Sequence, residues 1–217
     1  MFPSLESATS ICLPNTEYTL FQLVLDASGS ACAYSQAMEH LIKDVVRSCS
    51  GFDRNNLLLR VSLVGTTAVE LHGFRSINKC DPADYDDVVR YGGVSALYDA
   101  IIDAVEAVND LSQRLTEFGC STNGVVVVVT DGMEYGSVAW PAMVKKTLER
   151  MTVFGSRSLV LAGIVGVPVC KEAIESLHQF RDSIGFTGYL ELDGLDANAL
   201  MYLRDFVCRL VQPTTEA

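Results

Sequence analysis

The chain has 217 residues, of which 49% are hydrophobic and 20% are charged, and these proportions are typical of an ordinary globular domain. Its 27 acidic residues outnumber its 16 basic ones, which gives a formal net charge of -11 at pH 7. Because most of such a surface would repel a phosphate backbone or an anionic lipid face, we expect neither a nucleic acid nor a membrane as a partner.

Predicted strands and helices alternate along the chain. Apolar, β-branched runs predict strands at residues 19–25, 57–64, 124–129, 159–164 and 186–192. Apolar residues at helical spacing predict helices around residues 34–45, 97–115, 174–184 and 199–210. A further strand follows the one at 57–64 after a connection of only residues 65–67. That connection is too short for a crossover helix and predicts an antiparallel hairpin.

This order predicts an α/β fold with a doubly wound, mostly parallel central sheet, one antiparallel edge strand and helices on both faces. The run "GVVVVVTDG" supports the prediction, because an apolar stretch without alternation is typical of a central strand covered on both sides. We expect one domain at residues 18–212, an N-terminal extension at 1–17 and a C-terminal tail at 213–217.

The seven cysteines are spread over the chain, with no Cys-x-x-Cys pair and no histidine at zinc-ligand spacing. The sequence does not open on a basic segment followed by an apolar core, and no run approaches about eighteen apolar residues. We therefore expect reduced thiols, no native disulfide and a cytoplasmic location.

Two carboxylates follow predicted strands at the edge of the sheet where doubly wound folds bind ligands. Asp26 ends the first strand and begins "DASGS", and Asp131 follows "VVVVVT" and precedes Gly132, which suits a sharp turn. On adjacent strands the two carboxylates would repel each other, and a cation would relieve that repulsion. Ser28 and Ser30 add hydroxyl oxygens, so this donor set suits Mg²⁺, or Mn²⁺ as its near equivalent, better than zinc.

Three motifs in order resemble the von Willebrand factor A domain and its metal-ion-dependent adhesion site. They are D-x-S-G-S after the first strand, a hydroxyl residue in "GGVSALYDA" before a helix, and T-D-G after a central strand. The resemblance extends over about residues 18–211 and implies a Rossmann-like fold. Carried over by position, it implies metal ligands at Asp26, Ser28, Ser30, Ser95 and Asp131. Ser95 stands where the family usually has threonine, so the oxygen is kept and only a methyl group is lost.

Each proposed ligand also has a plain structural interpretation. Ser28 and Ser30 could cap a helix that begins near residue 33, and Ser95 could cap a helix that begins at residue 96. Asp131 could be an ordinary turn aspartate. Coincidental caps and turns have no reason to fall into this order along the chain, so we favour the metal site.

The resemblance implies a protein-interaction module and not an enzyme, with a Glu or Asp of a protein partner completing the coordination of the metal. Residues around the metal would select that partner, and we expect this rim to contain Tyr91, Met133, Glu134 and Tyr135. A P-loop and a G-x-S-x-G motif are absent from the sequence, and no histidine is evidently placed to activate a serine. Two alternatives stay open: a Mg²⁺-dependent hydrolase on the same fold class, and a regulatory subunit of an ATPase complex.

The last predicted helix carries a continuous apolar stripe and should pack along the flank of the sheet. In relatives that bind ligand through the metal, this helix shifts, and the resemblance raises the same hypothesis here. Static packing is the simpler interpretation and the one we favour.

Overall fold

The computed structural model describes residues 16–50, 56–153, 160–166, 171–184, 186, 188–194 and 196–211. Within these residues the strands are β1 (Glu17–Asp26), β2 (Leu57–Val64), β3 (Ala68–Ser76), β4 (Ser121–Thr130), β5 (Val160–Gly166) and β6 (Gly188–Glu191). The α-helices are α1 (Ser35–Ser50), α2 (Leu97–Glu117), α3 (Pro141–Val153), α4 (Lys171–Ile184) and α5 (Ala197–Val211).

The strands form one sheet in the order β3-β2-β1-β4-β5-β6. Neighbouring strands run parallel except for β2 and β3, which form the antiparallel hairpin at one edge. The predicted fold class is therefore confirmed. Because β1 and β4 are neighbours at the centre of the sheet, residues that follow their carboxyl ends lie side by side.

The side chains of β1 alternate between two buried layers, one on each face of the sheet. Phe21 and Leu23 belong to the layer that also contains residues of α1 and α5. Leu20 and Val24 belong to the opposite layer, with residues of α2 and α4. All four are fully buried, and burial of each such side chain stabilises the fold by about 1.5–3 kcal/mol. This two-sided burial fixes the position at which β1 ends and hence the position of Asp26.

The last helix, α5, packs its apolar stripe against the sheet as expected. Leu203 and Val207 are fully buried in the layer that α5 shares with α1, and the two helices contact each other. Among the described residues, no helix has both the length and the apolar character that a membrane span requires.

Helix α3 is absent from the predicted helices, because its sequence has only a weak apolar stripe. Val144 is buried, whereas the neighbouring Met143 is exposed. The strands predicted at 159–164 and 186–192 correspond to β5 and β6, with different ends. Several predictions fall outside the described residues: nearly all of the N-terminal extension, the C-terminal tail, residue 159, Cys12 and Cys170.

Candidate metal centre

The side chains of Asp26 and Asp131 lie at the carboxyl ends of the two central strands. Asp26 is the last residue of β1, and Asp131 directly follows β4, the parallel neighbour of β1. Asp26 is fully buried and Asp131 is 1% exposed. Two carboxylates are thus held together out of water, and the negative charge of Asp131 contributes to a raised pKa of Asp26.

The carboxylate of Asp26 accepts hydrogen bonds from three segments of the chain. The backbone N–H of Ser28 donates to Oδ1 at 2.9 Å. The hydroxyl groups of Ser95 and Thr130 donate to Oδ2 at 3.1 and 2.7 Å. Burial is the main reason that the pKa of Asp26 is raised, and the bonds from Ser28 and Thr130 oppose the rise. The carboxylate is therefore fixed in orientation and costly to ionise in the absence of a cation.

The three predicted hydroxyl ligands reach this cluster in different ways. Ser28 is 2% exposed, and its Oγ lies 3.1 Å from the Oγ of the exposed Ser30. Ser95 is 1% exposed and bonds to Asp26. The alternative interpretation of Ser95 as a helix cap is wrong, because α2 begins at residue 97 and its N-cap is Ala96. No side chain makes a capping hydrogen bond at this N-cap. The hydroxyl of Ser95 is instead turned towards the paired carboxylates.

Asp131 differs from Asp26 in having one oxygen without a partner among the described residues. Its Oδ1 accepts a hydrogen bond from the N–H of Met133 at 2.9 Å, whereas its Oδ2 is buried and accepts none from the part of the chain that the structure describes. Such an atom is rare, because a buried polar group without a partner costs about 1–3 kcal/mol. The next residue, Gly132, has φ +84, and a Cβ there would lie 2.3 Å from the Cγ of Leu177. Glycine is therefore required for the turn that places Asp131.

Thr130 is a residue of this cluster that the sequence analysis missed. It is fully buried, its hydroxyl donates to Asp26, and the N–H of Gly132 donates to the same hydroxyl at 3.0 Å. The only signal was its place in T-D-G, directly before the predicted ligand. Its bonds join the end of β4 to the end of β1.

Glu134 has a structural role that the rim prediction did not include. Its carboxylate accepts hydrogen bonds from the N–H groups of Gly136, Ser137 and Tyr98, at 2.8–3.1 Å, and from the Ser137 hydroxyl at 2.8 Å. Because both oxygens are used within the chain, Glu134 holds the loop after β4 against the first turn of α2. Asp99 supports the same loop by accepting bonds from residues 138 and 139.

The other predicted rim residues lie on segments next to the cluster. Tyr135 is 71% exposed, and its N–H donates to the carbonyl of Ser95 at 3.1 Å. Met133 is half-buried. The Tyr91 hydroxyl is buried without a hydrogen-bond partner among the described residues, and burial together with the Asp26 charge raises the pKa of this phenol. Tyr91 therefore lies close enough to Asp26 to feel its charge.

The oxygen donors of this cluster suit a hard cation. Two carboxylates and three hydroxyl groups offer only oxygen, the donor that Mg²⁺ and Mn²⁺ prefer. In the part of the chain that the structure describes, no group of three or more His, Cys, Asp or Glu side chains forms a metal cluster. With only two carboxylates, any metal here would depend on serine oxygens and water for the rest of its coordination. The buried, unpartnered Oδ2 of Asp131 fits such a role.

No protein-family model matches the sequence, and no curated protein sequence matches it significantly. The structure is similar to the SpRpn10 VWA domain, with 12% identity and a TM-score of 0.60, over 92% of this chain and 100% of that one. It is similar to the PilB minor pilin from Streptococcus sanguinis, with 10% identity and a TM-score of 0.68, over 94% of this chain and 64% of the pilin.

A third similar structure is proximal thread matrix protein 1 from the mussel byssus, with a zinc-occupied MIDAS motif. It shares 19% identity with a TM-score of 0.59, over 92% of this chain and 47% of that protein. The chain thus spans less than two thirds of the pilin and of the byssus protein, whereas it matches the whole of the SpRpn10 domain. The sheet order, the edge hairpin and these similarities agree, and the chain has the von Willebrand factor A fold.

Proposed function

We propose that Asp26, Ser28, Ser30, Ser95 and Asp131 bind one Mg²⁺ or Mn²⁺, and that the bound metal holds a Glu or Asp of a protein partner. The observation that carries this proposal is the buried Oδ2 of Asp131, which has no hydrogen-bond partner beside a second buried carboxylate. A cation would supply the missing partner and relieve the repulsion between the two aspartates.

The geometry around Asp26 supports the same proposal. The hydroxyl groups of Ser95 and Thr130 donate to one carboxylate oxygen, Oδ2, and the Ser28 N–H donates to the other. Donors of this kind orient metal-ligating carboxylates in proteins. Thr130 would therefore act as a positioning residue, whereas Ser95 would act as a ligand through a lone pair of the hydroxyl oxygen that donates its hydrogen to Asp26.

A partner carboxylate is the expected ligand because of the charge of the chain. At -11 the protein repels an acidic side chain over most of its surface, and a bound divalent cation would be a local, directional attraction. Two carboxylates and a few neutral hydroxyls leave room in an octahedral shell for water or for one outside oxygen. The zinc-occupied motif of the byssus protein supports the view that this fold can hold a metal.

Proteins with this fold are generally interaction modules rather than enzymes, and we propose the same for this chain. A Mg²⁺-dependent hydrolase stays the alternative. Turnover of generic phosphate or ester substrates, lost in Asp26→Ala, would favour it. A regulatory role in an ATPase complex is a special case of partner binding. The cytoplasmic location is also part of the proposal, and it is supported by the five free cysteines among the described residues.

Calorimetric titration with Mg²⁺ tests the metal site directly. The wild-type chain should release or absorb heat at micromolar to millimolar Mg²⁺, and Asp131→Asn should abolish that signal. Asp110→Asn is the matched control, because Asp110 is exposed on α2 and distant in sequence from both aspartates, and it should bind like the wild type. No binding by the wild type at millimolar Mg²⁺, or equal binding by Asp131→Asn, would overturn the proposal.

The partner part of the proposal needs a second experiment. Proteins retained by the immobilised wild-type chain in Mg²⁺, but not in chelator and not by Asp131→Asn, would be the candidates. Replacing single Glu and Asp residues of a retained protein by Gln and Asn should then identify one position that removes binding. Retention that is the same with chelator and with Asp131→Asn would contradict a metal-mediated contact.

A further inference from the structure

Two segments beside the paired carboxylates expose large hydrophobic side chains to solvent. Their exposed fractions range from 39% for Met143 to 89% for Val138. We call this group the apolar surface, and its members are Val94 in the loop before α2 and Tyr135, Val138, Trp140 and Met143 after β4. Single apolar residues are normal on a protein surface, whereas a group of them in one region indicates a binding surface.

The two segments that carry the apolar surface are held together next to the candidate metal centre. The N–H groups of residues 135 and 136 donate to the carbonyl of Ser95 at 3.1 and 2.9 Å. A Cβ at Gly136 would lie 2.9 Å from the Cγ2 of Val94, so the Val94 side chain lies against this part of the loop. The hydroxyl of the same Ser95 donates to Asp26. The apolar surface therefore begins at a proposed metal ligand.

The backbone beneath the apolar surface is fixed by hydrogen bonds. The N–H groups of Val138 and Ala139 donate to the carboxylate of Asp99 at 2.9 and 2.8 Å. The N–H of Met143 donates to the carbonyl of Trp140 at 2.8 Å, at the start of α3. A surface that is ordered before binding loses little conformational entropy when a partner covers it. These side chains are therefore presented outwards by a rigid loop.

The charge of this region differs from that of the whole chain. Residues 91–98 and 135–144 contain no charged side chain, although the chain has 27 acidic residues. The acidic residues at their borders, Asp99 and Glu134, accept hydrogen bonds from N–H groups of the loop. Lys146 on α3 is exposed and adds a positive charge just beyond the second segment. An approaching acidic segment would therefore meet less repulsion here than over most of the protein.

We propose that the apolar surface binds apolar side chains of the same partner segment whose Glu or Asp reaches the metal. The partner motif is then an acidic residue with aliphatic or aromatic neighbours. This inference rests on the proposed function for the acidic residue and on the apolar surface for its neighbours. A second copy of the chain is a poorer occupant, because each copy carries a net charge of -11. Trp140 is the expected anchor, since tryptophan is enriched among the residues that dominate binding energy.

Random peptides without tryptophan, displayed on phage, test the proposal without a known partner. The immobilised wild-type chain in Mg²⁺ should enrich peptides in which a Glu or Asp has apolar neighbours, relative to the uncoated support. A synthetic peptide of the enriched sequence is then titrated into the chain. Because Trp140 is the single tryptophan of the chain, binding should shift its fluorescence to shorter wavelength and reduce its quenching by acrylamide.

Variants of exposed residues test which side chains bind the peptide, with fluorescence anisotropy of the labelled peptide as the measurement. Trp140→Ser should weaken binding by at least about tenfold, as expected for an interface anchor, and Val138→Ser should weaken it less. Phe118→Ser is the matched control, because Phe118 is 52% exposed and lies at the far end of the 21-residue helix α2. It should bind like the wild type. Circular dichroism checks that each variant is folded.

Chelator and Asp131→Asn separate this inference from the proposed function. Both should weaken the peptide, and Trp140→Ser should weaken it further in chelator. Binding that is unchanged by chelator but lost in Trp140→Ser would contradict the metal contact alone, and the binding of apolar side chains here would stand. The inference is overturned if no sequence is enriched, if the enriched peptides lack apolar neighbours, or if Trp140→Ser binds like the wild type. Self-association of the chain that Trp140→Ser abolishes would assign the surface to a second copy and would also overturn it.

Discussion

Replacing Thr130 by valine tests the energetic role of the residue that joins β1 to β4. The substitution keeps the shape of the side chain and removes its hydroxyl, which donates to Asp26 and accepts from the N–H of Gly132. Loss of a hydrogen bond to a charged group costs about 1.5–3 kcal/mol, and an N–H left buried without an acceptor costs about 1–3 kcal/mol. We therefore expect the free energy of unfolding to fall by about 2.5–6 kcal/mol at pH values above the folded-state pKa of Asp26.

The loss should depend on pH in a defined direction. Burial raises the folded-state pKa of Asp26 above the ordinary value of an aspartic acid, and the bond from Thr130 favours the ionised form. The part of the loss that belongs to this bond is therefore fully present above the folded-state pKa of Asp26. It shrinks as the pH falls through that pKa, because the carboxyl then takes up a proton in both proteins.

Guanidinium unfolding followed by circular dichroism, in chelator, measures both effects. Thr116→Val is the matched control, because the hydroxyl of the exposed Thr116 on α2 donates to the carbonyl of Ser112, and its removal should change stability by less than about 0.5 kcal/mol. A loss below about 1 kcal/mol for Thr130→Val, or a loss that is the same on both sides of the folded-state pKa of Asp26, would refute the reasoning.

Three further predictions follow from the same cluster and the last helix. Asp131→Asn should raise the free energy of unfolding in chelator, because it removes a negative charge that raises the folded-state pKa of Asp26. The gain should appear in the same unfolding assay at pH values above that pKa, where Asp26 is ionised; no gain would contradict the repulsion. Gly132→Ala should lower stability by more than about 1 kcal/mol, since its backbone has φ +84 and a Cβ would contact Leu177; Gly194→Ala is the control. Amide exchange at residues 196–211 should not change with Mg²⁺ while the loops at residues 28 and 131 respond; slower or faster exchange in α5 would support switching instead of static packing.

The sheet could be predicted from the sequence because its central strands leave little choice of environment. The mostly apolar run of β1 and the unbroken valine run of β4 need cover on both faces, and only crossover helices supply it. The three-residue connection after β2 permits only a hairpin. Helix α3 could not be predicted, since Val144 is its one fully buried side chain among residues 141–150, and a single buried position gives no period.

The predicted cluster follows from motif positions, whereas the support around it depends on the tertiary structure. Residue 26 ends β1 and residue 131 directly follows β4, so the strand order brings them together. Glu134 was expected on the rim because it follows Asp131 by three residues. Its actual partners are N–H groups of its own loop and of Tyr98, and the pairing with α2 cannot be read from local sequence. Thr130 was predictable in principle, because it is the last residue of β4 and β4 is the neighbour of β1, which ends at Asp26.

Three segments converge on the paired carboxylates, and the bonds between them explain why the site exists only in the folded chain. The turn after β1 is held to the loop before α2, since the N–H of Gly29 donates to the carbonyl of Gly93 and the N–H of Gly92 donates to the carbonyl of Ala27. That loop is held to the segment after β4, because the carbonyl of Ser95 accepts bonds from residues 135 and 136. Each segment therefore positions the next one around Asp26 and Asp131. A cation that binds the folded site and not the unfolded chain would stabilise all three segments together. A change that disorders one of these segments should therefore also weaken the binding of the metal.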